Sequence, residues 1–307
     1  MIVTVTLNPS IDIRYTLEEL TLGGVNRVKN IDKTAGGKGI NVARVIFKLD
    51  KSPLTTGFVG GYLGQEFIHK LNTQHILNDF QIINSPTRNC INILHNGKST
   101  EILESGPTIN NSDWEDFKMK FKKITATHKI ICISGSLPKG IPETGYNDLV
   151  SIANQNQCKV LLDTSGKALL NSLECPPFFI KPNLEEFEKL VNKRLFSIDE
   201  IILEGKKLIN TGINIIAITL GSKGAVLITK NQTYIAKIPV FKVLNTVGCG
   251  DAFVGGFAVG LQNNSSLEEV FKLAIACSLS NALLPGTGDI SPTVVKDLIK
   301  QVTIIKK

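Results

Sequence analysis

Six short, near-continuous apolar runs punctuate the chain: Ile2–Leu7, Ile130–Ser134, Val160–Asp163, Phe178–Ile180, Ile215–Leu220 and Ala225–Thr229. Successive apolar positions over such lengths predict strands buried on both faces. Longer stretches with helical spacing, among them Ile40–Leu49 and Leu184–Val191, lie between them. That alternation predicts an α/β fold, a mainly parallel sheet with helices on both faces. Two segments break the rhythm. Residues 12–34 and 84–104 alternate polar and apolar positions, with breaks at Gly23-Gly24 and Asn96-Gly97. Cys90–Leu94 and Thr100–Leu103 flank Asn96-Gly97, a strong short-range signal for a hairpin. A small β lid, residues 12–34 and 84–104, is therefore expected within an α/β body of residues 1–11, 35–83 and 105–307. No linker, low-complexity tract or repeat divides the chain further.

Composition adds exclusions. A chain of 307 residues with 42% hydrophobic and 20% charged residues is neither disordered nor a small disulfide scaffold. The net charge of +7 could favour an anionic partner. Its densest cluster, Lys118, Lys120, Lys122 and Lys123, is interleaved with Trp114, Phe117, Phe121 and Ile124 at helical spacing. With Ser112 and Glu115 at capping-box spacing, the segment reads as an amphipathic helix with a solvated basic face, not a nucleic-acid surface. Six cysteines contain no C-x-x-C, and four histidines supply no zinc spacing. No secretory signal is legible at the start, and the longest uncharged apolar stretch, Ala252–Leu261, is about half the ~20 residues of a membrane helix. The expectation is a reduced, soluble, cytoplasmic protein that binds neither nucleic acid nor membrane.

Four motifs could carry chemistry. In Asn245-Thr-Val-Gly-Cys-Gly-Asp251, Gly248 and Gly250 let a loop fold into an anion-binding nest ahead of a helix N-terminus. Asp251, in the first turn, could take a proton from an attacking hydroxyl, although it also reads as an ordinary helix-start acid. A thiol at Cys249 in that position is expected to have a lowered pKa and to oxidise readily. In Thr34-Ala-Gly-Gly-Lys-Gly-Ile-Asn41, glycines could admit a polyol to the backbone while Asn41 bonds its hydroxyls. The spacing is not that of a Walker A loop, and a plain helix entry with an exposed Lys38 fits as well. Asn183 and Glu186 share one face of a starting helix. They suit either a hydrated Mg²⁺ or a helix cap. Thr219-Leu-Gly221-Ser-Lys-Gly224 ends a buried strand, either as a phosphate contact or as a simple hairpin.

At these separations the motifs resemble the ribokinase-like (pfkB) carbohydrate kinase family, from Leu7-Asn-Pro-Ser-Ile-Asp12 through Ser134-Gly-Ser-Leu-Pro138 to Gly286-Thr-Gly-Asp289. Within it, Asn8-Pro9 with Asp12, Arg88–Ile91, Ile93–His95 and Thr100–Glu104 are similar to the tagatose-6-phosphate kinases. The 1-phosphofructokinases share the amino-terminal pattern. The resemblance implies a three-layer α/β/α body with a small β-sheet lid, and ATP- and Mg²⁺-dependent phosphorylation of a ketohexose monophosphate. It also admits a monovalent cation and a homodimer formed through the lid.

By the same resemblance, Asp251 matches the catalytic base, and Gly248, Cys249 and Gly250 the anion hole. Asp12, Gly37 and Asn41 match sugar-hydroxyl contacts. Lys38, Arg88 and Arg27 match groups for the substrate phosphate, and Ser136 a cleft-lining position. Lys181, Asn183, Glu186, Thr219, Gly221 and Gly224 match the nucleotide side, with Asn183 and Glu186 reaching the metal through water. Cys249 and Ala252-Phe253 depart from the serine and small polar run of the tagatose-6-phosphate kinases, which leaves the sugar open. A non-catalytic sugar-phosphate or nucleotide sensor on the same fold would have no use for Asp251. No G-x-G-x-x-G follows the first strand, which excludes a Rossmann dehydrogenase.

Overall fold

The computed structural model describes residues 1–307. Its strands are β1 (Ile2–Thr6), β2 (Ser10–Thr16), β3 (Asn30–Gly36), β4 (Leu54–Gly60), β5 (Leu77–Asn78), β6 (Gln81–Ile83), β7 (Arg88–His95) and β8 (Lys98–Leu103), followed by β9 (Ile130–Ser134), β10 (Lys159–Asp163), β11 (Phe179–Ile180), β12 (Ile215–Thr219), β13 (Ala225–Thr229), β14 (Thr233–Lys237) and β15 (Thr303–Lys306). The helices are α1 (Lys38–Lys48), α2 (Gly61–Thr73), α3 (Asn111–Thr127), α4 (Gly145–Gln155), α5 (Gly166–Asn171), α6 (Leu184–Val191), α7 (Ile198–Ile209), α8 (Cys249–Gln262), α9 (Leu267–Ala282) and α10 (Pro292–Gln301). The main sheet runs β15-β14-β13-β12-β11-β10-β9-β1-β4-β5, with β6 also on β4. From β12 to β5 the pairing is parallel, and from β12 to β15 it is antiparallel.

The apolar runs form these strands because alternate side chains enter two different cores. Val3, Val5, Ile131, Ile133, Val160 and Leu162 meet α3, α4, α6 and α7 on one face. Ile2, Ile130, Cys132 and Leu161 meet α1, α8, α9 and α10 on the other. The result is the expected three-layer α/β/α body. Trp114, Phe117, Phe121 and Ile124 are buried as their spacing predicts. The start of α3 differs from expectation: Asn110 caps it by accepting from Asp113 N at 2.8 Å, so Ser112 lies inside the first turn. Lys118 and Lys120 bridge to Glu115 and Asp79.

A second sheet, ordered β3-β2-β7-β8, stands apart from the main one. Asn96 and Gly97 both have positive φ, 47° and 70°, as a tight β7–β8 hairpin requires. Gly23-Gly24 instead lies in a long, largely exposed loop between β2 and β3. The base of this sheet packs Ile11, Ile13 and Ala35 against Ile40 of α1 and Phe67 of α2. No helix is long and apolar enough to cross a membrane.

Candidate active site

The parallel strands end together, and their carboxyl ends, with the second sheet above them, enclose a cleft of about 1040 Å³. Ligands of α/β sheets bind at such edges, because the loops leaving the strands diverge there. Thr6, Asn8, Ser134, Ser136, Asp163, Lys181 and Thr219 reach the cleft from five successive strand ends. The floor holds unlike charges that are nearly dry. Lys181 and Asp163 form an ion pair at 3.3 Å with side-chain exposures of 6% and 3%. Asp251, in the first turn of α8, is buried beside them. Burial foremost, then the Asp163 carboxylate, pushes its pKa up to about 7 against a hydrogen bond from Asn41 and the charges of Lys38 and Lys181. Asp163 in turn holds the Lys38 ammonium ionised beyond the usual lysine range, with help from Asp251 and Glu186 and against burial.

The start of α8 supplies hydrogen-bond donors. Gly248 takes φ +85°, a left-handed conformation that turns the loop into the helix. At Gly250 a Cβ would lie 3.0 Å from Lys181 Nζ, so the glycine lets the lysine approach. The amides of Gly248, Gly250 and Asp251 make no bond within the protein, whereas Cys249 N donates to Thr246 O at 3.3 Å. Free N–H groups on a helix N-terminus that opens into the cleft make an anion cradle. Cys249 corrects an expectation: burial raises its thiol pKa and outweighs the hydrogen bond from Asn281. The half-buried side chain loses more to desolvation than the hydrogen bonds on the sulfur return.

On the side of the second sheet, Asp12 accepts from Ser10 Oγ at 2.6 Å, and burial raises its pKa. Arg88 spends Nη1 on Glu104 O at 2.8 Å and Nη2 on Asn8 O at 3.1 Å, while its buried Nε has no partner. Ser136 receives a long bond, 3.4 Å, from Asn8 Nδ2. Gly37 and Lys38 also line the cleft. Lys38 neighbours Asp163, Asp251 and Glu186 electrostatically. Both polar atoms of Asn41 are engaged: Nδ2 donates to Asp251 Oδ2 at 2.8 Å and Oδ1 accepts from Arg44 at 2.9 Å. Arg27 is exposed on the β2–β3 loop and is not among the residues lining the cleft.

On the opposite side, Asn183 and Glu186 form a reciprocal capping box at the start of α6, with bonds of 2.8 and 2.9 Å. Both also line the cleft. The cap takes Asn183 Oδ1 and Glu186 Oε2, leaving Glu186 Oε1 free of protein partners. No cluster of three or more His, Cys, Asp or Glu residues is arranged to hold a metal directly. That donor set fits a magnesium ion that keeps its waters and is held through them. Thr219 lines the cleft, while Gly221 and Gly224 sit in the tight β12–β13 connection that follows it and are not among the lining residues. Asp163 and Arg44 were absent from the expected set. Asp163 carried a usable signal as a carboxylate closing the buried run Val160–Asp163, and Arg44 lies one helical turn beyond Asn41.

The chain matches the profile of the pfkB family carbohydrate kinases over residues 5–294. It is 40% identical over 309 residues to the tagatose-6-phosphate kinase of Staphylococcus epidermidis, with 100% of both chains covered. Escherichia coli phosphofructokinase-2, solved in complex with potassium, is similar with a TM-score of 0.92 and 27% identity, over 97% of this chain and 98% of that one. A Thermotoga maritima structure described as a possible 1-phosphofructokinase aligns with a TM-score of 0.90 and 25% identity, over 100% of this chain and 99% of that one.

The environment of Cys249 generates one prediction. Its alkylation by iodoacetamide, followed by mass spectrometry across pH, should have a midpoint above the ~8.5 of an unperturbed thiol. A midpoint below that value would contradict the burial argument.

Proposed function

The chain belongs to the pfkB family of carbohydrate kinases, and on that premise we propose that it transfers the γ-phosphoryl group of ATP to O1 of D-tagatose 6-phosphate, giving the 1,6-bisphosphate. That it is a sugar-phosphate kinase follows from the family and its full-length relatives. The observation that carries the mechanism is a buried, partly neutralised carboxylate beside a helix N-terminus with free amides. The ionised Asp251 accepts the proton of the sugar hydroxyl as the oxygen attacks phosphorus. The bond from phosphorus to the β–γ bridging oxygen breaks in line, and ADP leaves. The amides of Gly248, Gly250 and Asp251 and the ammonium of Lys38 face the charge on the transferring group. Lys181, paired with Asp163, lies beside Gly250 at the same point.

Glu186, through its free Oε1, and Asn183 beside it would hold a magnesium ion through water, and the ion would supply positive charge against the nucleotide phosphates. Asp12 and Gly37 would meet sugar hydroxyls, and Arg88, with its unpartnered Nε, the substrate phosphate end. The β3-β2-β7-β8 sheet acts in this reading as a lid that excludes water. Exposed Ile31, Ile102 and Leu103 on that sheet support a homodimer through it. A monovalent cation is proposed on the ground of the potassium complex of the E. coli relative. A cytoplasmic location agrees with six free thiols. The second reading, phosphorylation of fructose 1-phosphate, is favoured by the likeness to the T. maritima protein.

A coupled ADP-release assay comparing tagatose 6-phosphate, fructose 6-phosphate and fructose 1-phosphate by kcat/KM tests the substrate. The highest value is expected for tagatose 6-phosphate, and preference for fructose 1-phosphate would transfer the assignment to the second reading. Turnover with none of the three would remove the proposed substrate class. For the base, Asp251→Asn should cut kcat by about 10²–10⁴-fold while leaving the fold intact. Because Asp251 works only when ionised, wild-type kcat/KM should fall as pH drops below about 7. Retained turnover in the variant, or an acid limb centred below pH 5, would remove Asp251 from the role.

A further inference from the structure

Asn41 and Arg44 lie three residues apart on one face of α1, and together they connect Asp251 to the second sheet. Arg44 Nη1 donates to Asn41 Oδ1 at 2.9 Å, and Asn41 Nδ2 donates to Asp251 Oδ2 at 2.8 Å. The other arms of the guanidinium are also held: Nη2 donates to Ala35 O of β3, and Nε donates to Gln74 Oε1 at 3.1 Å, just past α2. Asp12 and Asp289 favour the guanidinium charge, while burial pulls its pKa below the usual arginine value. A guanidinium in this setting stays protonated and has donors only.

We propose that Arg44 is a positioning residue, which clamps the Asn41 amide between β3 and Asp251 and so aims the base at the substrate hydroxyl. The amide has two orientations of nearly equal shape. With a cation on one side and a carboxylate on the other, only one is tolerable: oxygen toward Arg44, NH₂ toward Asp251. Without the cation only the carboxylate would still select that orientation, so the amide would be held from one side alone and its aim at Asp251 would loosen. The bond to Ala35 O sets where the clamp sits. Ala35 lies at the end of β3, next to the Gly36-Gly37 link into α1. The Asn41 amide is therefore referenced to the strand that also faces Asp12. The inference rests on Asp251 being the base.

A double-mutant cycle on kcat separates this coupling from a general packing role. Arg44→Met should lower kcat by about 10- to 100-fold, the range of one charge-assisted hydrogen bond, and leave the KM for ATP within about twofold. In an Asn41→Ala background, the same Arg44→Met change should alter kcat by less than about threefold, because the group it acts through is gone. Full multiplication of the two single losses, or a wild-type kcat in Arg44→Met, would overturn the proposal. Should Arg44→Met fail to fold, Arg44→Lys takes its place in the cycle, since an ammonium keeps the charge but cannot bridge Ala35 O and Asn41 Oδ1 together. Asp251→Asn, assayed in parallel, separates the two levels. Activity retained there sinks the base itself, whereas loss there beside an additive cycle sinks only the clamp.

Discussion

Two carboxylates and two ammonium groups meet where the parallel strands end, and the rest of the site is arranged around their burial. Asp163 and Lys181 are almost dry at the ends of neighbouring strands β10 and β11. Asp251 comes to them from α8, and Lys38 from the start of α1. Such a cluster is tolerable only when each charge finds its opposite, and removing one partner of a buried pair typically costs about 3–5 kcal/mol. The compensation here is uneven. Asp163 and Lys181 contact each other directly, but Asp251 has one hydrogen-bond donor and a like charge nearby. Its ionised form is accordingly less favourable than in water, as the proposed general base requires.

The same architecture places an anion cradle within reach of that carboxylate. α8 is apolar along most of its length and is packed between α1 and α9, so its N-terminus is fixed against the sheet. Its free amides need no reorganisation to meet charge on a phosphoryl group. The residues of the second sheet approach from the opposite side. The carbohydrate kinase activity of the family calls for positioning and electrostatics of this kind, with little covalent work for the protein.

Much of this was legible in the sequence. The six apolar runs delimited β1 and β9–β13, each to within about a residue, because burial on both faces leaves no polar alternation to confuse them. Asn96-Gly97 foretold its turn because both residues accept positive φ. Asn183 and Glu186 had two readings, and the structure shows that the capping box exists in a position that also faces the cleft. What escaped depends on long-range contact. The Asn41–Asp251 bond joins residues 210 apart in the chain, and no local pattern announces it. The raised pKa of the Cys249 thiol escaped because helix polarity is visible in sequence whereas burial is not. Arg27, which the resemblance matches to a phosphate ligand, lies exposed on the β2–β3 loop.

The most direct test of the charge cluster is a ¹³C NMR titration of protein labelled at aspartate Cγ, with Asp251→Asn used to assign the resonance. One aspartate titrating near pH 7, absent from the variant, is the predicted result. A spectrum in which every aspartate ionises below about pH 5, as ordinary carboxylates do, would contradict the account.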